Sequence, residues 1–156
     1  METWNQSSDS ARSHTPLRVN RRIDEHVEGC VRHMATHADR PEMSRYLQKL
    51  EREWDLNRAV MVGTAVAGAL GLLLGRRDGG GWRWLSVVAA GVLLQHGTLG
   101  FGPLSAPLRA LAGIRTRREI DLEKFAIKAL RGDFERIPND GGPMARANAA
   151  LVAAQS

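Results

Sequence analysis

The stretch VLLQHGTLGFGP, residues 92–103, decides the class of this protein. It begins as apolar helix, then meets Gln95, His96, three glycines and Pro103. Either it closes a transmembrane arm, or it is a soluble loop after a short buried helix. Its surroundings favour the first reading. Residues 84–108 carry no charge, and neither do residues 59–75, AVMVGTAVAGALGLLLG. At 1.5 Å per residue that second run makes about 25 Å of helix, close to the ~30 Å of a bilayer core. Trp54 and Arg58 stand where one headgroup layer would lie.

Between the two runs, RRDGGGWR (residues 76–83) is a turn, because three consecutive glycines are costly inside a helix. Trp82 and Trp84 beside it suit an interfacial aromatic belt. A short link between two apolar helices makes an antiparallel pair, with spans at residues 57–75 and 84–104. Gln95 and His96 are expensive in lipid, so they are expected to face the first span, past the midplane. The glycines and Pro103 then release the chain at the far interface.

Whole-chain averages hide this division. Over 156 residues the chain is 25% charged and 43% hydrophobic, with a mean hydropathy of −0.30. The charges sit outside the apolar runs. The net charge of +5 comes from nineteen arginines against three lysines. This excess is diffuse and lacks the basic stripe of a nucleic-acid binder, so no nucleic-acid partner is expected. The single cysteine, Cys30, excludes an internal disulfide and a multi-cysteine zinc site. METWNQSSDSARSHTPL has no apolar core of a secretory signal, and residues 1–16 read as disordered.

Residues 17–38 have a helical pattern with Leu17, Ile23, Val27, Cys30 or Val31, and Met34 on one stripe. The Arg40-Pro41 step ends it and starts a second helix capped near Asp39, with Met43, Leu47, Leu50 and Trp54 on its apolar face. Both belong to an amphipathic cytoplasmic region, residues 17–55. Residues 109–134 form juxtamembrane amphipathic helices. There Thr116-Arg-Arg-Glu119 is a capping box, and Gly132 is the stop signal. Residues 135–156 are a flexible, alanine-rich tail.

The fold class is therefore all-α: a transmembrane two-helix hairpin at residues 56–108, flanked by amphipathic helices. Four basic residues precede the first span (Arg45, Lys49, Arg52, Arg58) and five follow the second (Arg109 to Lys124), against three in the turn. That bias puts both termini in the cytoplasm and predicts a multi-pass protein of the inner membrane.

Gly63, Ala67, Gly71 and Gly75, each four apart, make a small-residue ridge for packing against the second span or against another copy. Gln95 and His96 complete the expected packing set. Arg115, Arg117 and Arg118 are placed to meet anionic lipid headgroups as well as to set topology. His26, Cys30, His33 and His37 fall at helical offsets of one face, a candidate metal or haem set. The same stripe also serves an ordinary amphipathic helix. There is no Ser-His-Asp arrangement, no CxxC and no phosphate-binding glycine loop, since residues 79–81 lack the following lysine. No enzymatic activity and no cofactor are expected.

EREWDLNRA (residues 51–59), LLQHGTLGFGPL (93–104) and IRTRREIDLEKFAIKALRGDF (114–134) together resemble the YgaP-type inner-membrane domain. This two-span bacterial domain of unknown function occurs alone or after a rhodanese domain. The resemblance covers residues 51–134 and implies a helical hairpin, often dimeric, with no catalytic role of its own. Where such proteins have a Trp-Cys-Pro turn, this chain has Phe101-Gly102-Pro103, so a thiol role there is not implied. The expected function is a structural or interaction module whose partners are the bilayer and a second copy or another membrane protein. The alternative is a metal, haem or sulfur-handling accessory built on the His26/Cys30/His33/His37 face.

Overall fold

The computed structural model describes residues 9–76, 81–137 and 142–155. The segment 1–8 and most of the glycine turn, 77–80, lie outside the described residues. The described chain is helical, with no strand: α1 (Ser10–Ser13), α2 (Leu17–His37), α3 (Arg40–Arg52), α4 (Leu56–Gly75), α5 (Arg83–Leu99), α6 (Ser105–Ala112), α7 (Arg117–Arg131) and α8 (Pro143–Gln155), with a 3-10 turn at Phe134–Arg136. It divides into two compact units, Met1–His26 with Trp54–Ile120, and Val27–Glu53 with Asp121–Ser156.

In the first unit α4 starts where the Asp55 carboxylate accepts from the Arg58 N–H at 2.8 Å. This side chain satisfies one of the free donors of the first turn. The Leu56 N–H donates to the Arg115 carbonyl at 2.8 Å, tying the start of α4 to the segment before α7. One stretch of helix, within Arg40–Gly75, is long and apolar enough to cross a membrane, and only 22% of its apolar window is buried in the fold. That stretch is α4. The expected second span is shorter than its sequence suggests: α5 ends at Leu99 and does not continue to Leu104. Gly100 stops it by taking a left-handed conformation (φ 73°), open to glycine without a Cβ clash, and its N–H caps the His96 carbonyl.

Of residues 1–16, expected as disordered, the described residues 9–16 include a helical turn and buried side chains. Asp9 caps α1, and Ala11 is buried with Leu56 and Val60, flanked by Leu108 and Ile114. The His14 ring lies flat on Phe101, with centroids 3.6 Å apart. The polar composition that suggests disorder is used here for a cap and for buried hydrogen bonds.

The second unit is built around Met34, Met43, Leu47 and Ile127, with Val31, Ala38 and Tyr46 against them. Asp39 caps α3 through the Glu42 N–H, and Pro41 lies in the first turn, where its missing N–H costs nothing. α3 ends at Arg52, which leaves Trp54 outside the helix and 54% exposed. Residues 143–155, expected as flexible tail, form α8.

Candidate functional site

Three features of the first unit concern function: the contact between α4 and α5, a pocket at one end of that pair, and a buried ion cluster beside it.

α4 and α5 run antiparallel. Asn57 of α4 meets His96 of α5, Gly68 meets Ser86, and Gly71 meets Trp82 and Ser86. The Ser86 hydroxyl donates to the Gly68 carbonyl at 2.8 Å. A Cβ on Gly71 would fall 2.6 Å from the Ser86 Oγ and 2.9 Å from the Trp82 carbonyl oxygen, so only glycine permits this approach. A Cβ on Gly75 would fall 2.8 Å from Arg83 Cγ. Thr64, 4% exposed, turns its hydroxyl back onto the Val60 carbonyl. The seam is therefore made of small and lightly polar residues, while the bulky apolar ones point away from it. Val66, Leu70 and Leu73 of α4 are exposed, as are Val87, Val88 and Leu94 of α5.

The ridge of fours does not lie wholly on this seam. Gly71 and Gly75 are buried in it and Ala67 is half-buried, but a Cβ on Gly63 would meet nothing within 4 Å. A step of four residues turns about 400°, so such a ridge drifts by about 40° per step. Gly63 is thus carried about 80° round from Gly71. The seam uses Gly68, Gly71 and Gly75 instead, mixing steps of three and four. Gln95 is exposed, whereas His96 is 6% exposed and its Nε2 lies 3.0 Å from the Asn57 Oδ1. An amide oxygen only accepts, so Nε2 is the donor and Nδ1 takes no part in this contact. That Nδ1 is buried without a partner.

At this end of the pair a pocket of ≈ 520 Å³ opens. Leu56 and Met61 give it an apolar wall; Asn57, His96, Arg117 and Arg118 give it a polar one, with Asp9 at its edge.

Beside it lies the ion cluster. Glu119 is 1% exposed and Arg109 0%. Arg109 donates to both Glu119 oxygens at 2.7 Å, and to the Asn20 Oδ1 at 2.9 Å. Arg12 donates to Glu119 at 3.0 Å and grips Asp24 with both Nη atoms. The capping box is present and buried: the Thr116 N–H donates to Glu119 at 2.8 Å, and the Glu119 N–H donates to the Thr116 Oγ1. Two guanidiniums thus face two carboxylates. Burial alone would raise the Glu119 pKa, but bonds from Arg109, Thr116 and Arg12 outweigh it and hold the carboxyl below its usual range. Burial likewise opposes the Arg12 charge, and its bonds to Asp24 and Glu119 more than offset this, raising its pKa.

The structure separates the expected headgroup set. Arg115 is buried, and Arg117 and Arg118 are exposed at the start of α7. The candidate metal set is not assembled: among the described residues no group of three or more His, Cys, Asp or Glu is placed to hold a metal ion. His26, His33 and His37 are exposed, and the His33 and His37 rings stack on each other at 4.9 Å. Cys30 turns instead toward Tyr46, whose hydroxyl donates to Glu123 at 2.7 Å. Burial, with Cys30 and Glu123 nearby, pushes the Tyr46 phenol well up.

Sequence reasoning missed the ion cluster. Its legible signs are Glu119, found only as the acid of a capping box, and Arg109, an isolated charge that ends a long uncharged run inside an amphipathic helix. No family model, curated protein or solved structure matches this chain.

Proposed function

We propose that the chain is a membrane-inserted helical hairpin that acts as a non-enzymatic interaction module of a bacterial inner membrane. Both termini are cytoplasmic, and a second copy or another membrane protein is the partner. The observation that carries this reading is the inverted packing of α4 and α5. Small residues and two interhelical polar contacts fill the seam, and large aliphatic side chains cover the outside. In water, bulky apolar residues gain by turning inward, at about 25 cal/mol per Å² buried. In lipid no such gain exists, so helices meet through small residues that let their backbones approach. Exposed apolar surface of this extent marks a membrane or partner surface. The resemblance to the YgaP-type domain points the same way.

The test is fractionation followed by labelling. The chain is expected to stay with membranes after alkaline carbonate and to need detergent for release. In a Cys30→Ser background, an impermeant maleimide should label Gly81→Cys in intact cells and reach Arg118→Cys only after permeabilisation. Release by carbonate overturns insertion, and reversed labelling overturns the orientation. Self-association is read from reciprocal capture of two differently tagged copies in mild detergent; capture of neither a copy nor another membrane protein overturns the interaction role.

A further inference from the structure

The polarity of α6 is inverted. Its inward face carries Ser105, 2% exposed, and Arg109, 0% exposed. Its outward face carries Leu104, Pro107 and Leu111, spaced by three and four residues on one side of the helix, and Leu111 is 88% exposed. A helix on a water-facing surface has the opposite order, with charge outward and leucine inward. We infer that α6 lies in the plane of the membrane, its outward face seated on the acyl chains of the cytoplasmic leaflet. This inference rests on the membrane reading of α4 and α5.

Both ends of α6 are fixed to one level of that pair. Before it, Gly102 lies beside His96, since a Cβ there would fall 3.7 Å from the His96 Cβ, and His96 pairs with Asn57 in the first turn of α4. After it, Ile114 packs on the cluster of Ala11, Leu56 and Val60, and the Arg115 carbonyl accepts from the Leu56 N–H. Leu108, midway, packs on the same cluster. The eight residues of α6, about 12 Å of helix, therefore run across the start of α4 and do not carry the chain away along its axis. That start is where an inserted α4 enters the bilayer.

A helix at this depth must satisfy its polar groups within the protein. The Arg109 guanidinium does so through Glu119 and Asn20, and with Arg12 and Asp24 the charges of these side chains sum to zero. At the end of the helix the Gly113 N–H closes on the Arg109 carbonyl, and Arg22 donates to the Ala110 carbonyl at 2.6 Å. Pro107, in the first turn, has no N–H to leave unpaired.

The outward face also continues the flank of the span. From Leu94 in α5 to Leu111 the one charged residue is Arg109, and it points inward. Leu94, Leu99, Leu104 and Leu111 are all exposed along that stretch. Lipid covers the flank of α5 and the face of α6 together; a soluble partner would cover only the second.

The experiment uses the full chain with Cys30→Ser, reconstituted in vesicles of phosphatidylethanolamine and phosphatidylglycerol. A nitroxide is attached at one introduced cysteine at a time. Its collisions with oxygen, which partitions into lipid, and with a water-soluble nickel chelate are read by power saturation. Leu104→Cys and Leu111→Cys report on the face of α6. Val66→Cys, exposed on α4, is the lipid reference, and Gln48→Cys, exposed on α3, is the water reference. All four side chains are exposed, so the labels do not disturb packing.

Oxygen collisions are expected to exceed nickel collisions severalfold at Leu104 and Leu111, with a ratio between those of Gln48 and Val66. A ratio equal to that of Gln48 at both positions overturns the inference. Weak collisions with both reagents at Leu111, together with dipolar broadening between labels, would place a second copy on the face and overturn the lipid assignment. If Val66 and Leu111 both collide chiefly with nickel, the membrane reading itself fails. If Val66 is in lipid and Leu111 in water, only the placement of α6 fails.

Discussion

Replacing Glu119 by glutamine changes almost no volume and isolates the worth of the buried charge cluster. The parent carboxylate accepts four hydrogen bonds, two from Arg109, one from Arg12 and one from the Thr116 backbone. Each oxygen accepts two of these bonds, so glutamine keeps one acceptor and turns an NH2 toward two of the donors. More costly, Arg109 at 0% exposure loses its counter-ion and cannot turn to water. Removing one partner of a buried pair typically costs about 3–5 kcal/mol. That is a large share of the ~5–15 kcal/mol that holds a domain folded. For a chain of this size each kcal/mol moves the melting temperature by about 2–4 °C. The predicted drop is therefore roughly 6–20 °C.

The assay is thermal unfolding of detergent-solubilised protein, followed by tryptophan fluorescence. Glu51→Gln is the control, because Glu51 pairs with Lys124 with its side chain 54% exposed. Such a surface pair contributes about 0–1 kcal/mol. A double variant, Arg109→Met with Glu119→Met, removes one charge of each sign and leaves Arg12 with Asp24. It should recover much of the loss, because no uncompensated charge remains. The reasoning is refuted if Glu119→Gln melts with Glu51→Gln, or if the double variant is as unstable as the two single changes added together.

Three further outcomes follow from the same geometry. Because the folded pKa of Glu119 lies below its ordinary 4.5, its contribution is complete above that value and is lost as pH falls through the lowered one; melting temperature should decline below about pH 4.5, and Glu119→Gln should flatten that part of the profile. Gly71→Val should destabilise the α4–α5 contact by about 1–3 kcal/mol, since its Cβ would strike the backbone of α5. Gly63→Val, with open space at its Cβ, should melt within a degree or two of the parent, and equal effects at the two sites would sink the seam described above. Zinc added in slight excess should not raise the melting temperature, because His26, Cys30, His33 and His37 do not form a group placed to hold it; a rise abolished by His33→Ala would restore the metal reading.

Helical periodicity made most of the architecture legible, because apolar spacing reports burial directly. Met43, Leu47 and Leu50 are buried as their offsets of four and three require. The buried charges were hidden for the opposite reason. Arg115, Arg117 and Arg118 look alike in sequence, yet the first is buried and the others exposed. Only Thr116 capping α7 fixes which way each points. Arg12 and Glu119 are 107 residues apart, and nothing in a local pattern signals that they meet. Residues 9–16 read as disordered because their serine, threonine and arginine content is that of a solvated tail. Their order comes from contacts far off in sequence, with Glu119, Phe101, Leu56 and Val60.

The inverted seam also bears on why the whole-chain averages suggest a soluble protein. A soluble two-helix unit would place Val66, Leu70 and Leu73 against Val87, Val88 and Leu94. Each such side chain, fully buried, contributes about 1.5–3 kcal/mol in water. Instead, Gly68, Gly71, Ser86 and Ala89 occupy the contact, and they have little apolar surface to bury. The hydrophobic effect in water therefore does not account for this arrangement. It follows if the outer faces meet hydrocarbon, where the close backbone approach at Gly71 and the Ser86–Gly68 hydrogen bond become the main attractions between the helices. The charge needed for solubility then has no place on α4 and α5 beyond Arg58 and Arg83 near their ends, and it collects in the flanking segments. The averages add the two populations together; the packing separates them.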